Sequence, residues 1–278
     1  MTVHIAFSGN EGAVILSDSQ GSDSISEAHG FQKQYVGEGF ILGGAGHGGI
    51  LGSLFEAINR SPPTEAQVAT FIEDYLESEL RPSVVGKIQL LLLRSSKGSQ
   101  NKVANYSPCT YRHFSSDRSF GSIGSGAHFV FNALARHGEL GIEMPTDSLA
   151  DMFVKAIYYA DVANESLTVD DCLMASFIKN DMSYLIGMAE IGIWHAPNKA
   201  LRNWGAISKW CEKIVSMSKT VNSEVREATR LFSRIRISAL DKAAVGQLEN
   251  ANKAVEGHRK KLAQAIDAFC VWYDANVR

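Results

Sequence analysis

The chain has 278 residues, 45% of them hydrophobic and 21% charged, with a formal net charge of -3. That is the composition of a globular protein, and so weak a charge offers no field to attract nucleic acid or an anionic membrane surface. Cys109, Cys172, Cys211 and Cys270 are too scattered for a metal-ligand spacing or a disulfide framework, and no secretory signal or membrane-length apolar run is present. The expectation is a cytoplasmic protein with reduced thiols, Cys172 and Cys270 packed in apolar faces, and no metal or cofactor.

Residues 2–8 and 13–19 are β-rich runs separated by Gly9-Asn10-Glu11-Gly12, which predicts a hairpin. A Ser-rich loop over 21–30 leads to runs at 31–36 and 40–45 around Gly37-Glu38-Gly39, a second hairpin. The four runs together predict one antiparallel sheet at the start of the chain.

From Gly48 the period changes. Ile50, Leu51, Leu54, Phe55 and Ile58 form a helical stripe over 48–59, and Ser61-Pro62-Pro63 stops it. Thr64 caps a second predicted helix that runs to Leu80. Strands come next at 87–94, 102–106 and 120–123. Gly124-Ser125-Gly126 opens a helix through Arg136, and 147–163 carries another. Two last strands, 173–179 and 183–189, flank an Asn180-Asp181 turn.

Strands and helices are segregated, which predicts an α+β protein with antiparallel sheets and, with helix pairs to spare, a four-layer αββα arrangement. Beyond about residue 200 the chain turns helical, giving a domain over 1–200 and a helical C-terminal extension over 201–278. Apolar residues at 245, 248, 255, 262, 266 and 269 approach a heptad seam that Asn252 and Arg259 break. Either the extension packs on its own domain or it contacts another subunit or partner.

Thr2 is preceded only by the initiator methionine. Removal of Met1 would put a hydroxyl and an α-amine on one residue, and an α-amine titrates near about 8, so it can accept the hydroxyl proton at neutral pH. A Met-Thr start alone carries no weight. It gains weight from three later features: Asp18 at the end of the second run, Lys33 in the third, and Gly43-Gly44-Ala45-Gly46-His47-Gly48-Gly49 where strand gives way to helix.

That series resembles the opening of proteasome β-type subunits and of the bacterial proteasome-like protease HslV. Gly124-Ser125-Gly126-Ala127 resembles the segment before a helix in that family, Asp161 matches an aspartate at the end of the next helix, and 164–171 resembles the HslV segment at that place. The resemblance covers about residues 2–190. It implies an N-terminal-nucleophile (Ntn) hydrolase sandwich in which Thr2 attacks a peptide bond. Lys33 would favour the alkoxide and lower the amine pKa, Asp18 would hold the Lys33 ammonium, and the Gly46 N–H would donate to the oxyanion. Ser125 and Asp161 would hydrogen-bond around the amine and orient the deacylating water. Gly44 would lie at the floor of a roomy substrate pocket.

The chain departs from the pattern at Asn164, where the family commonly has a serine, and in its C-terminal 80 or so residues. His47 either touches substrate or lies exposed at a helix start. His4 either tunes the site or is a hydrogen-bonded strand residue. The glycine-rich run is not a phosphate loop, because no Gly-Lys-Ser/Thr comes after it.

The resemblance therefore implies a threonine-type endopeptidase acting on peptide or unfolded protein, in a homo-oligomeric ring, with an ATP-dependent unfoldase as a possible partner. Two alternatives stay open: an Ntn amidase acting on a small amide, and a catalytically silent scaffold subunit.

Overall fold

The computed structural model describes residues 3–19, 21–22, 27–28, 32–79, 88–94, 102–106, 120–140, 148–164, 173–191, 195–237 and 242–278. Thr2, Cys109, Cys172 and most of the 164–171 segment lie outside the described residues.

Two antiparallel sheets form the centre. One has the order β11-β10-β2-β1-β9, built from β1 (His4–Gly9), β2 (Gly12–Asp18), β9 (Phe120–Ile123), β10 (Leu173–Lys179) and β11 (Met182–Gly187). The other has the order β5-β6-β7-β8, from β5 (Gln34–Gly37), β6 (Phe40–Gly46), β7 (Ile88–Arg94) and β8 (Lys102–Tyr106). A small ribbon pairs β3 (Gly21–Ser22) with β4 (Glu27–Ala28). Helices α1 (Gly48–Arg60) and α2 (Val68–Glu79) contribute their buried side chains to the cluster on the outer face of the second sheet. Helices α3 (Ala127–Leu140) and α4 (Leu149–Asn164) do so for the first. This is the α+β four-layer sandwich that the segregation of elements predicts.

Strand alternation sorts the core into layers. Val14 and Leu16 of β2 point into the α3/α4 layer, while Ala13 and Ile15 point between the sheets. In β7, Ile88, Leu90 and Leu92 meet α1 and α2, while Leu91 and Leu93 face the inter-sheet layer. Both faces of each sheet are covered, so β2 is buried along its whole length.

The second hairpin corrects one expectation. Both hairpins form, but β5 and β6 do not join β1 and β2 in one sheet; β6 pairs with β7, from Phe40↔Arg94 to Gly46↔Ile88. The edges of the first hairpin are taken by β9 and β10. Local alternation defines strands, whereas partners more than forty residues away decide which sheet each one enters. The Asn180-Asp181 turn forms as read, with φ of 50° and 62°, the two positive angles of a type I′ hairpin.

After the short helix α5 (Asn198–Arg202) come α6 (Trp204–Ile237) and α7 (Lys242–Asn276), two long helices packed on each other. Ile207, Cys211, Ile214, Val215 and Val221 of α6 join the same apolar cluster as α4 and β11. Asn222 donates to the Val154 carbonyl at 3.0 Å. Arg259, which interrupts the heptad seam of α7, donates to Asp151 of α4 at 2.6 Å. Phe269 of α7 lies 5.9 Å from the Phe177 ring of β10. The C-terminal Arg278 donates to the Ser183 carbonyl at 2.7 Å and covers the Tyr184 ring. The helical hairpin thus adds a further layer over α4 and β11. Cys211 and Cys270 are buried in it, and burial pushes the Cys270 thiol up to about 11. Among the described residues, no helix is long and apolar enough to cross a membrane.

Because Phe269 is fully buried where α7 meets β10 and β11, Phe269→Ala is expected to cost about 3–5 kcal/mol of unfolding free energy. Urea denaturation of the full chain measures it.

Candidate active site

The inter-sheet layer ends where β1 begins, β2 ends and β5 starts, and three polar groups meet there. Asp18, the last residue of β2, accepts the Val3 amide on Oδ1 at 2.7 Å and the Lys33 ammonium on Oδ2 at 3.0 Å. The Asp18 amide donates back to the Val3 carbonyl at 3.3 Å. The Lys33 side chain is 8% exposed and that of Asp18 is fully buried. A charged pair taken out of water is costly unless its geometry and hydrogen bonds compensate it. Here the carboxylate bonds both the ammonium and the backbone N–H that joins residue 3 to residue 2.

Lys33 itself lies just before β5 rather than inside it, yet its carbonyl still accepts the Gly44 amide at 2.9 Å and continues the pairing with β6. Gln32 beside it is clamped to the segment at 195: its side-chain amide donates to the His195 carbonyl and accepts the His195 N–H, both at 2.9 Å.

Strand β6 brings the glycine run to this place. Gly43 and Gly44 are held from opposite sides. A Cβ on Gly43 would come 2.7 Å from the His4 ring, and one on Gly44 would come 2.6 Å from Leu51 of α1. Gly46 ends the strand at φ 113°, a conformation that side chains rarely adopt. His47 then enters α1 in an extended conformation, without a side-chain cap, and no acidic residue sits in the first turn. His47, Gly48 and Gly49 are exposed, and a Cβ on Gly48 would meet open space. The result is an accessible helix start, with its backbone N–H groups free of a carboxylate from the helix's own first turn.

His4 lies under this strand, fully buried. Its Nε2 is 2.8 Å from the Gly44 carbonyl and its Nδ1 is 2.5 Å from Ser17 Oγ. Gln34 Nε2 donates to Ser17 Oγ at 2.5 Å and to the Met174 carbonyl at 3.0 Å. Burial, reinforced by the Lys33 charge and only partly offset by the bond to Gly44, depresses the His4 pKa to about 3. The ring is therefore neutral. The carbonyl can only accept, so Nε2 carries the proton and Nδ1 accepts from the Ser17 hydroxyl.

Ser125 lies in the turn after β9, beyond Ile123, which pairs with His4 of β1. The Ser125 side chain is exposed at that turn. Asp161 lies on α4 facing α6, with Lys219 Nζ 3.6 Å from its carboxylate. That pair borders a polar cavity of about 520 Å³, which Asn222, Arg226 and Arg230 also line. The structure thus joins Asp18, Lys33 and Gly44 through direct bonds and places Gly46 and His47 two and three residues further on.

Ser17, Gln34, Gln32 and Lys219 were not legible as part of this region. For Ser17 a signal existed: closing the first hairpin at Gly9 and Gly12 puts His4 opposite Ser17. Among the described residues, no group of three or more His, Cys, Asp or Glu side chains is arranged to hold a metal.

No family model matches the chain, and no curated protein matches it. Solved structures do. An Anbu mutant from Hyphomicrobium sp. strain MC1 is 16% identical, with a TM-score of 0.55 over 79% of this chain and 98% of that one. Anbu (ancestral beta-subunit) from Yersinia bercovieri is 17% identical, with a TM-score of 0.52 over 77% and 95%. A second Anbu structure from the Hyphomicrobium strain is 15% identical, with a TM-score of 0.51 over 78% and 97%. At this identity the likeness establishes the fold. It also corrects the assignment to proteasome β-type subunits and HslV, because the structures matched are Anbu chains. The glycines that carried the assignment answer to packing: Gly43 under His4, Gly44 against Leu51, Gly46 at positive φ. Such motifs track a shared fold, not one branch of it.

The His4 pKa sets an acid sensitivity. It falls from 6.5 to about 3 on folding. Below pH 6.5 the unfolded chain therefore binds a proton that the folded chain refuses, and stability is lost as pH falls from about 6.5 towards 3, at up to about 1.4 kcal/mol per pH unit. Denaturant unfolding of wild type and His4→Gln between pH 7 and 4 checks this. The wild-type slope over that range is expected to be steeper than that of the variant by this amount.

Proposed function

We propose that the chain is an N-terminal-threonine peptidase, in which removal of Met1 exposes Thr2 as the nucleophile. The observation that carries this reading is the buried Asp18–Lys33 pair bonded to the Val3 amide, the group that joins directly to Thr2.

In this reading the Thr2 α-amine takes the proton of its own hydroxyl, directly or through a water. The oxygen attacks the amide carbonyl of a peptide substrate. The Lys33 ammonium, fixed by Asp18, favours the negative oxygen of Thr2 and holds the amine in its neutral form. The carbonyl oxygen becomes an oxyanion and is met by the Gly46 N–H and the open start of α1. The tetrahedral intermediate collapses with departure of the amine product, which receives the proton from the Thr2 ammonium. A water then hydrolyses the ester. Ser125 and Asp161 are assigned to orienting that water by their places in the sequence, Asp161 being paired with Lys219 of α6. His47 is exposed at the start of α1 for contact with substrate, whereas Gly44 is buried against Leu51 and contributes through its backbone. Assembly into an oligomer of such subunits is supported by the likeness to a chain titled as an ancestral beta-subunit. The exposed exit of β6 at Gly46, beside the open start of α1, leaves room for a substrate there.

A peptide epoxyketone, an electrophile suited to a hydroxyl beside an α-amine, is expected to form an adduct on Thr2 of the full chain. The Thr2→Ala variant is expected to lose it completely. Peptide mapping by mass spectrometry reads the site; an adduct that persists in Thr2→Ala on another residue rules the reading out.

A further inference from the structure

Strands β1 and β6 meet where His4 faces Gly44, and the two residues assigned to the reaction are two positions from that crossing in the sequence. Thr2 lies two residues before His4 in the run that becomes β1, and Gly46 lies two residues after Gly44 on β6. At the crossing, the His4 imidazole donates from Nε2 to the Gly44 carbonyl at 2.8 Å. The ring is packed against Gly43, whose missing side chain leaves the space it fills. Behind the ring stands a chain of donors with one polarity. Gln34 donates to Ser17, Ser17 donates to Nδ1, and Gln34 is itself anchored on the Met174 carbonyl of β10. On its other side, the His4 backbone carbonyl accepts the Ser122 hydroxyl at 2.8 Å.

Resting on the proposed peptidase function, we infer that His4 is a positioning residue. Its Nε2–H, aimed by Ser17 and Gln34, ties β6 to the start of β1 and so holds the Gly46 end of β6 in register with the strand that follows Thr2 in the sequence. The side chain touches neither substrate nor the reacting atoms. It acts through the Gly44 carbonyl, and its effect falls on the transition state, because the oxyanion donor must be in place only once the charge develops. A neutral ring also suits the place. A protonated imidazole would set a second buried cation close to Lys33, and the Ser17–Gln34 chain offers it no carboxylate.

This relay differs in kind from the Asp18–Lys33 pair. That pair fixes β1, β2 and the approach to β5, whereas His4 makes a hydrogen bond across the interior to the glycine strand. Shifts near 1 Å at a reacting pair lower rates about a hundredfold, and a lost hydrogen bond at the crossing permits a shift of that kind.

The test labels four full-length chains with the peptide epoxyketone and separates the maximal labelling rate, kinact, from the half-saturation constant, KI. The chains are wild type, His4→Leu, His4→Gln and Ser17→Ala. His4→Leu keeps the bulk without a donor. Its kinact is expected to fall about ten- to a hundredfold, with KI within about threefold of wild type, since ground-state binding is untouched. His4→Gln offers an amide N–H to the Gly44 carbonyl and is expected to recover most of kinact. Ser17→Ala leaves His4 in place but frees its tautomer, and kinact is expected to fall by a smaller factor. A folded His4→Leu that labels at the wild-type rate overturns the inference. So does an equal loss in His4→Leu and His4→Gln, which marks a purely structural role. If His4→Leu does not fold, a wild-type rate in Ser17→Ala overturns it instead. A wild-type chain without a Thr2 adduct defeats the proposed function itself, and is thereby distinguished from failure of the inference alone.

Discussion

The carboxylate of Asp18 makes two bonds that organise the rest of the site, one to the Val3 amide and one to the Lys33 ammonium. In doing so it joins the start of β1, the end of β2 and the approach to β5. The pair is buried, so it stands only because each charge faces an opposite one and because the backbone supplies a further donor. Removing either partner would leave an uncompensated charge in the interior, which costs about 3–5 kcal/mol in comparable settings. The position is thus fixed by electrostatics in a place where water does not screen it.

The layers around it explain why the frame holds. Each sheet is covered on both faces, and strict alternation in β2 and β7 sends neighbouring side chains to different layers. Between the sheets, aliphatic contacts among Ile15, Ile41 and Leu91 give way at one end to the polar relay of His4, Ser17 and Gln34. The double glycine of β6 lets that strand lie against the imidazole on one side and Leu51 on the other. Beyond α4, the α6–α7 hairpin adds apolar cover and supplies Lys219 to Asp161.

Much of this was legible from local chemistry. The turns at 9–12 and 180–181, the strand-to-helix switch after Gly46 and the stripe of α1 are written in short-range patterns. The sheet that receives β5 and β6 was not, because its partner β7 begins more than forty residues after β6 ends. The sequence marks Asp18, Lys33 and Gly46 only through the order in which a resemblance sets them; their connection through Val3 and Gly44 arises from contacts between distant strands. Ser17 and Gln34 carry no signal as isolated polar residues in strands, and acquire meaning only once the hairpin register sets Ser17 against His4. Lys219 is 58 positions from Asp161 in a helix whose docking no local pattern specifies. The glycine motifs proved a guide to fold and a poor guide to branch, since close packing and backbone conformation demand them.

The proposed chemistry turns on a free α-amine at Thr2. Intact-mass measurement of the full chain purified from cells, with N-terminal sequencing, tests this directly. A Thr2 nucleophile predicts a mass lower by one methionine residue and threonine as the first residue. A chain that retains Met1 throughout the population contradicts it, because Thr2 would then have no amine to receive its own proton.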